Sequence, residues 1–315
     1  MKRKALIFGI RGLSLSKQES NLLKSNKPWG IILFSRNIKS LKQTQKLVKE
    51  IRRLVKDKKY PILIDQEGGR VSRIENIVNH KLYTSNYFGK LYSRNKSNFR
   101  KEYEKYISDV CDILKKIGVN INTVPVLDVR EKNTSTIIGD RSYSKDPREV
   151  ANIGKFLLKL YKRRKVGTVI KHIPGHGSSK QDTHHKTSFI NSSKIKLIRK
   201  DFKPFRLCQS HFAMTAHLIY RAYDSLNNAT QSKIIIQEVI RKHIGFKGIL
   251  ISDDISMKAL KFGLIRNSIM ALNAGCNLIL HCNGNITEMK KLVKIVPTID
   301  KFTQKKTSQF YKFLG

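Results

Sequence analysis

Several short apolar segments of this sequence end in side chains that can carry a charge or exchange a proton. They are Asp65, Asp128, the pair Lys171 and His172, His217, Asp253 and His281. Carboxylates can act as nucleophiles or as general acids and bases, imidazoles exchange protons near neutral pH, and a lysine donates charge-assisted hydrogen bonds. Each residue taken singly could do no more than cap a strand. Six such segment ends in one chain favour a shared active site.

The segments that carry these groups belong to a set of eight candidate strands. They span residues 5–10, 30–34, 61–65, 120–129, 168–172, 212–217, 247–253 and 277–282. Near-continuous apolar runs of this length are typical of strands that are buried on both faces. Helical patterns lie between them, for example at residues 41–55, 98–117, 148–164 and 232–243. This alternation of strand and helix predicts a parallel sheet.

The predicted fold class is α/β, and the predicted architecture is a single (β/α)8 TIM barrel. Eight strand–helix units fit a chain of 315 residues, whereas a doubly wound sheet would need fewer strands and a glycine-rich turn after an early strand. No internal repeat or Gly/Ser-rich linker divides the sequence. We therefore expect a catalytic barrel over residues 1–296, followed by a C-terminal helix or a loose basic tail over residues 297–315.

The charge balance is strongly basic, with 63 Lys and Arg against 23 Asp and Glu and a formal net charge of +40. Such a charge could indicate a nucleic-acid partner, but the basic residues are spread along the whole chain. The densest runs are short ones, at residues 56–59 and 161–165. We interpret most of the charge as solvated helix faces that can also attract acidic substrates. An inactive nucleic-acid-binding barrel stays open as a remote alternative.

Cysteine usage and the N-terminal segment bear on the compartment. The spacing of the four cysteines fits neither a Cys-x-x-Cys site nor a disulfide scaffold, which favours a reducing compartment. The apolar run near the N-terminus ends at Arg11, so it is too short for the core of a signal peptide. No stretch reaches a membrane-spanning length. We expect a cytoplasmic protein without a membrane partner.

Three sequence motifs give more specific information about the function. They are residues 63–73, residues 171–177 with Asp182-Thr183-His184 just downstream, and residues 251–257. Together they resemble glycoside hydrolase family 3, with the closest match to its single-domain bacterial β-N-acetylhexosaminidases. Further agreement at residues 30–34, 139–142 and 274–284 extends the resemblance over residues 28–290. One motif alone would be weak, but six in the same order are specific.

The resemblance assigns the nucleophile to Asp253, the first Asp of the motif at residues 251–257. Retaining hydrolysis needs such a carboxylate under the anomeric carbon and an acid/base group beside the leaving oxygen. Asp254 is the alternative nucleophile, and its other possible role is to hold the following turn through side-chain hydrogen bonds.

An Asp and a His at the spacing of Asp182 and His184 form the acid/base dyad in the family resembled. An imidazole near its ordinary pKa can donate and recover a proton, and the carboxylate would orient it. Two-domain relatives take this group from a second domain, whereas here the chain stops soon after the eighth strand. His176, His185 and Glu67 are the alternatives. Relatives continue toward a Leu-Pro pair where this chain has Lys186-Thr-Ser, so the loop after His184 is expected to close differently.

Substrate binding in the family would map to Asp65, Arg73, Arg141, Lys171 and His172. A carboxylate can accept from two sugar hydroxyls, and the basic side chains can donate to them. For the two arginines, the alternative is an internal salt bridge that ties loops together. The cluster of His residues at 172, 176, 184 and 185 with Asp182 could also suggest zinc, but Pro174 and Gly175 break any helix that would align them. We expect no metal and no other cofactor.

The resemblance implies a retaining exo-β-N-acetylglucosaminidase that removes terminal N-acetylglucosamine from muropeptide-type cell-wall fragments during peptidoglycan recycling. The expected partner is therefore a small sugar or muropeptide substrate, and the expected assembly is a monomer. A β-N-acetylglucosaminide phosphorylase on the same scaffold is the nearest alternative. A histidine acid/base lacks the negative charge that would repel phosphate, and the protein is cationic.

Overall fold

The computed structural model of the protein describes residues 2–131, 138–179 and 188–315. Ten strands lie within these ranges and are numbered in chain order. They are β1 (Lys4–Gly9), β2 (Pro28–Leu33), β3 (Ile62–Ile64), β4 (Ile121–Asn122), β5 (Gly167–Ile173), β6 (Ser188–Ile190), β7 (Phe212–Thr215), β8 (Leu218–Tyr220), β9 (Ile249–Asp254) and β10 (Leu278–His281).

Eight of these strands close into a parallel barrel in the order β1-β2-β3-β4-β5-β7-β9-β10. Closure is visible at Phe8, which pairs with Ile31 of β2 on one side and with His281 of β10 on the other. Apart from the closing pair of β1 and β10, each barrel strand pairs with the barrel strands that precede and follow it along the chain, as short strand–helix–strand connections favour. The predicted (β/α)8 barrel is confirmed.

The barrel core forms because the strands are apolar on both faces. All six residues of β2 and all seven of β5 are buried, since one face fills the barrel and the other packs under the helices. In β5 the buried set includes Lys171 and His172, which replace apolar side chains at the C-terminal end of the strand. This fully buried strand therefore also delivers polar groups to the end where barrel enzymes place their chemistry.

Helices surround the barrel and cover its outer face. They are α1 (Lys17–Asn26), α2 (Leu41–Val55), α3 (Ser85–Arg94), α4 (Lys96–Ile117), α5 (Pro147–Arg163), α6 (Lys194–Arg199), α7 (Lys203–Leu207), α8 (Leu264–Ala274), α9 (Ile286–Ile295) and α10 (Lys301–Leu314), with a π-helical segment at Ile235–His243. Side-chain caps fix several starts, such as Ser40 accepting from the Gln43 N–H ahead of α2. Within the described ranges, none of the helices combines the length and hydropathy that crossing a bilayer requires.

The fourth strand is much shorter than the predicted segment at residues 120–129. Regular pairing stops after Asn122 because Pro125 has no N–H to give to a ladder. The chain then meets β5 again, where Pro125 O accepts from the Lys171 N–H at 3.1 Å and the Leu127 N–H donates to Lys171 O at 2.7 Å. These two bonds hold the segment that carries Asp128 against the end of β5.

Helix α10 packs against the barrel at the end opposite to the strand C-termini. Trp29 of β2 donates its indole N–H to Thr307 Oγ1 at 2.8 Å, and Phe310 lies edge-on to Phe212 of β7 with ring centroids 5.0 Å apart. Tyr311 donates to Asp57 Oδ2 at 2.8 Å, and Asp57 also pairs with Arg3. Residues 301–314 thus contribute to the hydrophobic core, while a domain boundary at residue 296 stays a prediction.

Strands β6 and β8 form a small parallel pair outside the barrel, which the sequence reading did not predict. Ser188 pairs with Leu218 and Ile190 pairs with Tyr220. The pair holds residues 188–190 against the segment that directly follows β7. This side of the barrel therefore has a structured rim.

Candidate active site

The C-terminal ends of the barrel strands surround a cavity of about 390 Å³. Six residues named from the sequence line it, five expected to bind substrate and one expected to be the nucleophile: Asp65, Arg73, Arg141, Lys171, His172 and Asp253. The structure therefore brings these six groups together around one space. The remaining two, Asp182 and His184, lie outside the described residues.

Lys171 joins a group of polar side chains at this cavity, Asp65, Glu67, Arg73 and Thr123, which we call the polar wall. Its side chain is only 2% exposed, and its ammonium group pairs with Asp65, with Glu67 Oε1 at 2.6 Å and with Thr123 Oγ1 at 3.1 Å. Asp65 also accepts from Arg73 Nη2 at 3.0 Å. Burial raises the pKa of the Asp65 carboxyl, but the opposing effect of Lys171 and Arg73 is larger and holds the pKa well below its ordinary value. Asp65 is therefore an ionised acceptor.

Arg141 is held by a carboxylate for which the sequence reading proposed only a fallback role. Its Nε and Nη2 atoms donate to the two oxygens of Glu67 at 2.8 and 2.7 Å, a bidentate geometry that fixes the guanidinium plane. Burial raises the pKa of Glu67, whereas Arg141 and then Lys171 lower it to a net value below normal. Glu67 is thus ionised and does not hold a proton to donate. Both arginines, Arg73 and Arg141, form internal ion pairs and also line the cavity.

A second buried carboxylate, Asp128, organises the two histidines that line the cavity. Asp128 Oδ2 lies 2.7 Å from His172 Nδ1, and Asp128 Oδ1 accepts from the His176 backbone N–H at 2.7 Å. Burial raises the pKa of Asp128, but His172 lowers it to a net value below normal. A proton on Nδ1 of His172 leaves its Nε2 available to a ligand. Burial lowers the pKa of His176 to about 4, so this imidazole is neutral at pH 7.

The two adjacent carboxylates at the end of β9 have different partners. Asp253 Oδ1 accepts from the Asp254 N–H at 2.8 Å. Burial raises the pKa of Asp253, but His217 and His172 lower it to a net value below normal. Asp254 Oδ1 instead accepts from the Ser256 N–H at 3.1 Å and the Cys282 N–H at 3.2 Å, so this carboxylate holds the turn. Among the described residues, Asp253 Oδ2 has no hydrogen-bond donor, whereas both oxygens of Asp254 accept from Ser256, so the geometry favours Asp253 over Asp254 as the nucleophile candidate.

His217 supports this end of β9 from the neighbouring strand. Its Nε2 lies 3.0 Å from the backbone oxygen of Asp254, and its Nδ1 lies 2.7 Å from Thr230 Oγ1. Burial lowers the pKa of His217. A neutral His217 that donates from Nε2 and accepts from Thr230 satisfies both contacts. The strand-end histidine named from the sequence therefore braces the backbone beside Asp253.

Three polar residues of this arrangement were not predicted as partners of other site residues, namely Glu67, Thr123 and Asp128. A signal was present for two of them, because Glu67 follows Asp65 by two positions within one motif and Asp128 ends a predicted strand. Their function as partners of Lys171, Arg141 and His172 depends on contacts between strands. In the described part of the chain, no three His, Cys, Asp or Glu side chains are placed to hold a metal ion.

Comparison with known sequences identifies the family. The Glycosyl hydrolase family 3 N terminal domain matches residues 5–309, which is nearly the whole chain. The chain belongs to glycosyl hydrolase family 3. It is accordingly a glycosidase, and the cavity at the strand ends lies where barrel enzymes of this architecture place their active sites.

The chain is also similar to named proteins and to solved structures. A β-hexosaminidase of Haemophilus influenzae is 32% identical over 285 residues, covering 89% of this chain and 79% of that protein. A β-hexosaminidase of Nitrosomonas eutropha is 34% identical over 286 residues, covering 88% of this chain and 80% of that protein. The crystal structure of NagZ from Neisseria gonorrhoeae in complex with N-trifluoroacetyl-D-glucosamine has a TM-score of 0.88 and 27% identity, covering 100% of this chain and 90% of that one.

Replacing Lys171 by Met tests whether its ammonium group holds the polar wall together. The variant leaves Asp65 and Glu67 buried without their shared cation, so its free energy of unfolding should fall by about 3–5 kcal/mol. Lys242→Met is the matched control, because it breaks an exposed ion pair with Glu238 and should cost under about 0.5 kcal/mol. Urea unfolding measures both. Equal small losses would show that Lys171 does not hold the wall together.

Proposed function

We propose that this glycosidase is a retaining exo-β-N-acetylglucosaminidase that acts on muropeptide-type cell-wall fragments. The observation that carries the proposal is the ionised Asp253, which lines the same cavity as Asp65, Arg73, Lys171 and His172. The relatives named β-hexosaminidase and the structural neighbour with N-trifluoroacetyl-D-glucosamine support the choice of sugar.

In the first step, Asp253 attacks the anomeric carbon of the terminal sugar while the glycosidic oxygen leaves with a proton from the acid/base group. A covalent glycosyl-enzyme forms and the aglycone departs. In the second step, the same acid/base group takes a proton from water, which attacks the anomeric carbon and releases Asp253. The ionised state of Asp253 suits a nucleophile, because a protonated carboxyl would attack poorly.

We assign the acid/base role to His184, oriented by Asp182. The support from the described residues is indirect. Asp65 and Glu67 have lowered pKa values and His176 has a pKa of about 4. At neutral pH the two carboxyl groups are therefore ionised and the imidazole is neutral, so none of the three holds an acidic proton. These pKa values disfavour Glu67 and His176 as the acid/base group, while His185 lies outside the described residues. An imidazole of ordinary pKa suits a group that must give and recover a proton.

The sugar-binding roles follow from donor and acceptor chemistry. Asp65 is fixed by Lys171 and Arg73 and can still accept from two neighbouring hydroxyls of a pyranose ring. Lys171, Arg73 and His172 can donate to the same ring, and Arg141 is held rigidly by Glu67 to do so. Binding energy from these charge-assisted bonds would orient the anomeric carbon toward Asp253.

Two global properties support the proposal. One concerns the substrate, an acidic cell-wall fragment, and the other concerns the compartment of the enzyme, which we propose is reducing. The formal net charge of +40 favours encounter with acidic ligands. All four cysteines are free thiols, at positions 111, 208, 276 and 282. We therefore propose that the enzyme acts in the cytoplasm, where thiols stay reduced.

The proposed reaction is tested with aryl β-N-acetylglucosaminide, β-N-acetylgalactosaminide and β-glucoside substrates of the same leaving group. The glucosaminide should be turned over at least about tenfold faster than either control, since the site would be built for its hydroxyl and acetamido groups. NMR should show the β-anomer as the first sugar released, because two displacements retain configuration. An α-anomer, or N-acetylglucosamine 1-phosphate formed in phosphate buffer, would contradict the proposal.

Asp253→Ala should lower turnover more than about a thousandfold with the fold intact, because loss of the nucleophile removes several kcal/mol of transition-state stabilisation. Sodium azide should restore part of the activity and yield the α-glycosyl azide, since azide fits the vacated space and attacks from the same face. Asp254→Ala is the control and should gain nothing from azide. Rescue of Asp254→Ala instead of Asp253→Ala would exchange the two roles.

His184→Ala should damage substrates with poor leaving groups about a hundredfold to ten-thousandfold more than an activated aryl glycoside, whose departure hardly needs a proton. Asp182→Asn should follow the same pattern more mildly, because it misorients the imidazole without removing it. His185→Ala serves as the neighbouring control. The ratio of kcat/KM between the two substrate classes is the measurement, and equal losses on both would assign His184 to binding.

A further inference from the structure

A buried carboxyl group outside the cavity contacts the segment that carries His176. Asp201 lies between α6 and α7 and is 0% exposed. Both of its carboxyl oxygens lie close to one hydroxyl, Ser178 Oγ, at 2.9 and 3.0 Å. Ser178 is two residues beyond His176, so a side chain of the helical layer is bonded directly to the loop that follows β5.

This loop segment, Gly175 to Ser179, is held from several sides. Tyr220 donates to Gly175 O at 2.5 Å, and the Ser179 N–H donates to His176 O at 3.2 Å. Gly175 has φ +136°, and a Cβ there would lie 2.8 Å from Asp201 O and 2.9 Å from Asp201 Cβ. A Cβ on Gly177 would lie 1.8 Å from Val129 O. The segment is therefore wedged between Asp201 and the chain that carries Asp128.

The surroundings of Asp201 disfavour a negative charge. Asp128 and Glu131 are nearby carboxylates with lowered pKa values, and the nearby cation Lys200 is already paired with Glu131 at 2.5 Å. Tyr220 also faces Asp201 and does not carry a charge, because burial raises its pKa well above normal. Burial raises the pKa of Asp201 to about 7, with Glu131 and Asp128 adding to the increase and Ser178 and Lys200 opposing it.

We propose that Asp201 is a positioning residue that acts as a neutral carboxylic acid, fixing the Gly175–Ser179 segment through Ser178 and thereby His176 in the cavity. A neutral carboxyl group suits the contact, because its O–H can donate to Ser178 Oγ while its other oxygen accepts from the same hydroxyl. Asp201 is not among the described residues that line the cavity, so it acts through the segment. The catalytic consequence rests on the proposed function of the cavity.

Asp201→Asn and Asp201→Ala separate the neutral hydrogen bond from the charge. Asn keeps one donor and one acceptor, so at pH 6 its kcat/KM on the aryl glycoside should stay within about threefold of the wild type. Ala removes both, and kcat/KM should fall on the order of tenfold to a hundredfold, the usual cost of a displaced active-site segment. Ser178→Ala should resemble Asp201→Ala. Asn and Ala variants that lose activity equally would overturn the proposal.

The pH dependence of stability tests the protonation state without any substrate. The raised pKa means that Asp201 binds its proton more tightly in the folded wild type than in the unfolded chain. Its contribution to stability is therefore fully present below about pH 4 and is lost as the pH rises through about 7. Asp201→Asn lacks this decline. Its Tm relative to the wild type should therefore rise between pH 4 and 8, by on the order of 5 °C.

Asp224→Asn is the matched control, because Asp224 also accepts from a serine hydroxyl, Ser232 Oγ, at 2.7 Å. Burial raises the pKa of Asp224, but Ser232 and backbone N–H groups lower it below normal. Relative to the wild type, its variant should therefore be less stable at neutral pH, and the difference should shrink only as the pH falls below the ordinary aspartate range, which is the opposite trend. A pH trend shared by the two Asn variants would contradict a neutral Asp201.

The position of His176 can be followed directly by NMR. Asp201→Ala should shift the His176 ring resonances, assigned with His176→Gln, and Asp201→Asn should leave them in place. Unshifted resonances in the Ala variant would overturn the positioning role. If no glycoside is turned over, the proposed function fails, while the NMR and stability results still decide the role of Asp201.

Discussion

The candidate active site depends on a lysine ammonium group that is almost completely buried between two carboxylates. Lys171 belongs to β5, whereas Asp65 and Glu67 follow β3, and β4 lies between those strands. Inward-facing side chains of alternate strands share one layer of a barrel, which is why these groups can meet. Isolated burial of any one of the charges would be costly, so each is retained only because the others are present. Arg73 and Arg141 extend the network to the rim.

Groups that line the same cavity are held in different charge states. Asp253 is ionised, because His217, His172 and Lys171 lower its pKa against the effect of burial. His176 is kept neutral in the same cavity by burial. Asp254 follows Asp253 directly, yet its carboxylate is occupied by Ser256 and Cys282. Strand-end backbone geometry, more than residue type, therefore distinguishes two chemically identical neighbours.

The sequence contained most of the fold, because strands buried on both faces are recognisable as apolar runs. All eight barrel strands, the barrel and the family were predicted and confirmed. The length of β4 was not, since Pro125 ends pairing in a way that an apolar run does not reveal. The Glu67–Arg141 and Asp128–His172 pairs also escaped, because each joins residues far apart in sequence. The roles of Asp253, His184, Asp182 and the sugar-binding residues stay predictions, since contacts without a substrate do not test them.

Barrel closure has a consequence for how the chain is made. β1 pairs with β10, and Trp29 of β2 bonds to Thr307 in the last helix, so the ends of the chain complete each other. During synthesis β1 cannot complete its pairing until β10 has been made, and contacts of such long sequence separation form slowly. Until then β1 presents an unpaired apolar edge on which other chains could associate. Mutual repulsion between nascent chains, which the high positive charge provides, would keep that edge from being used.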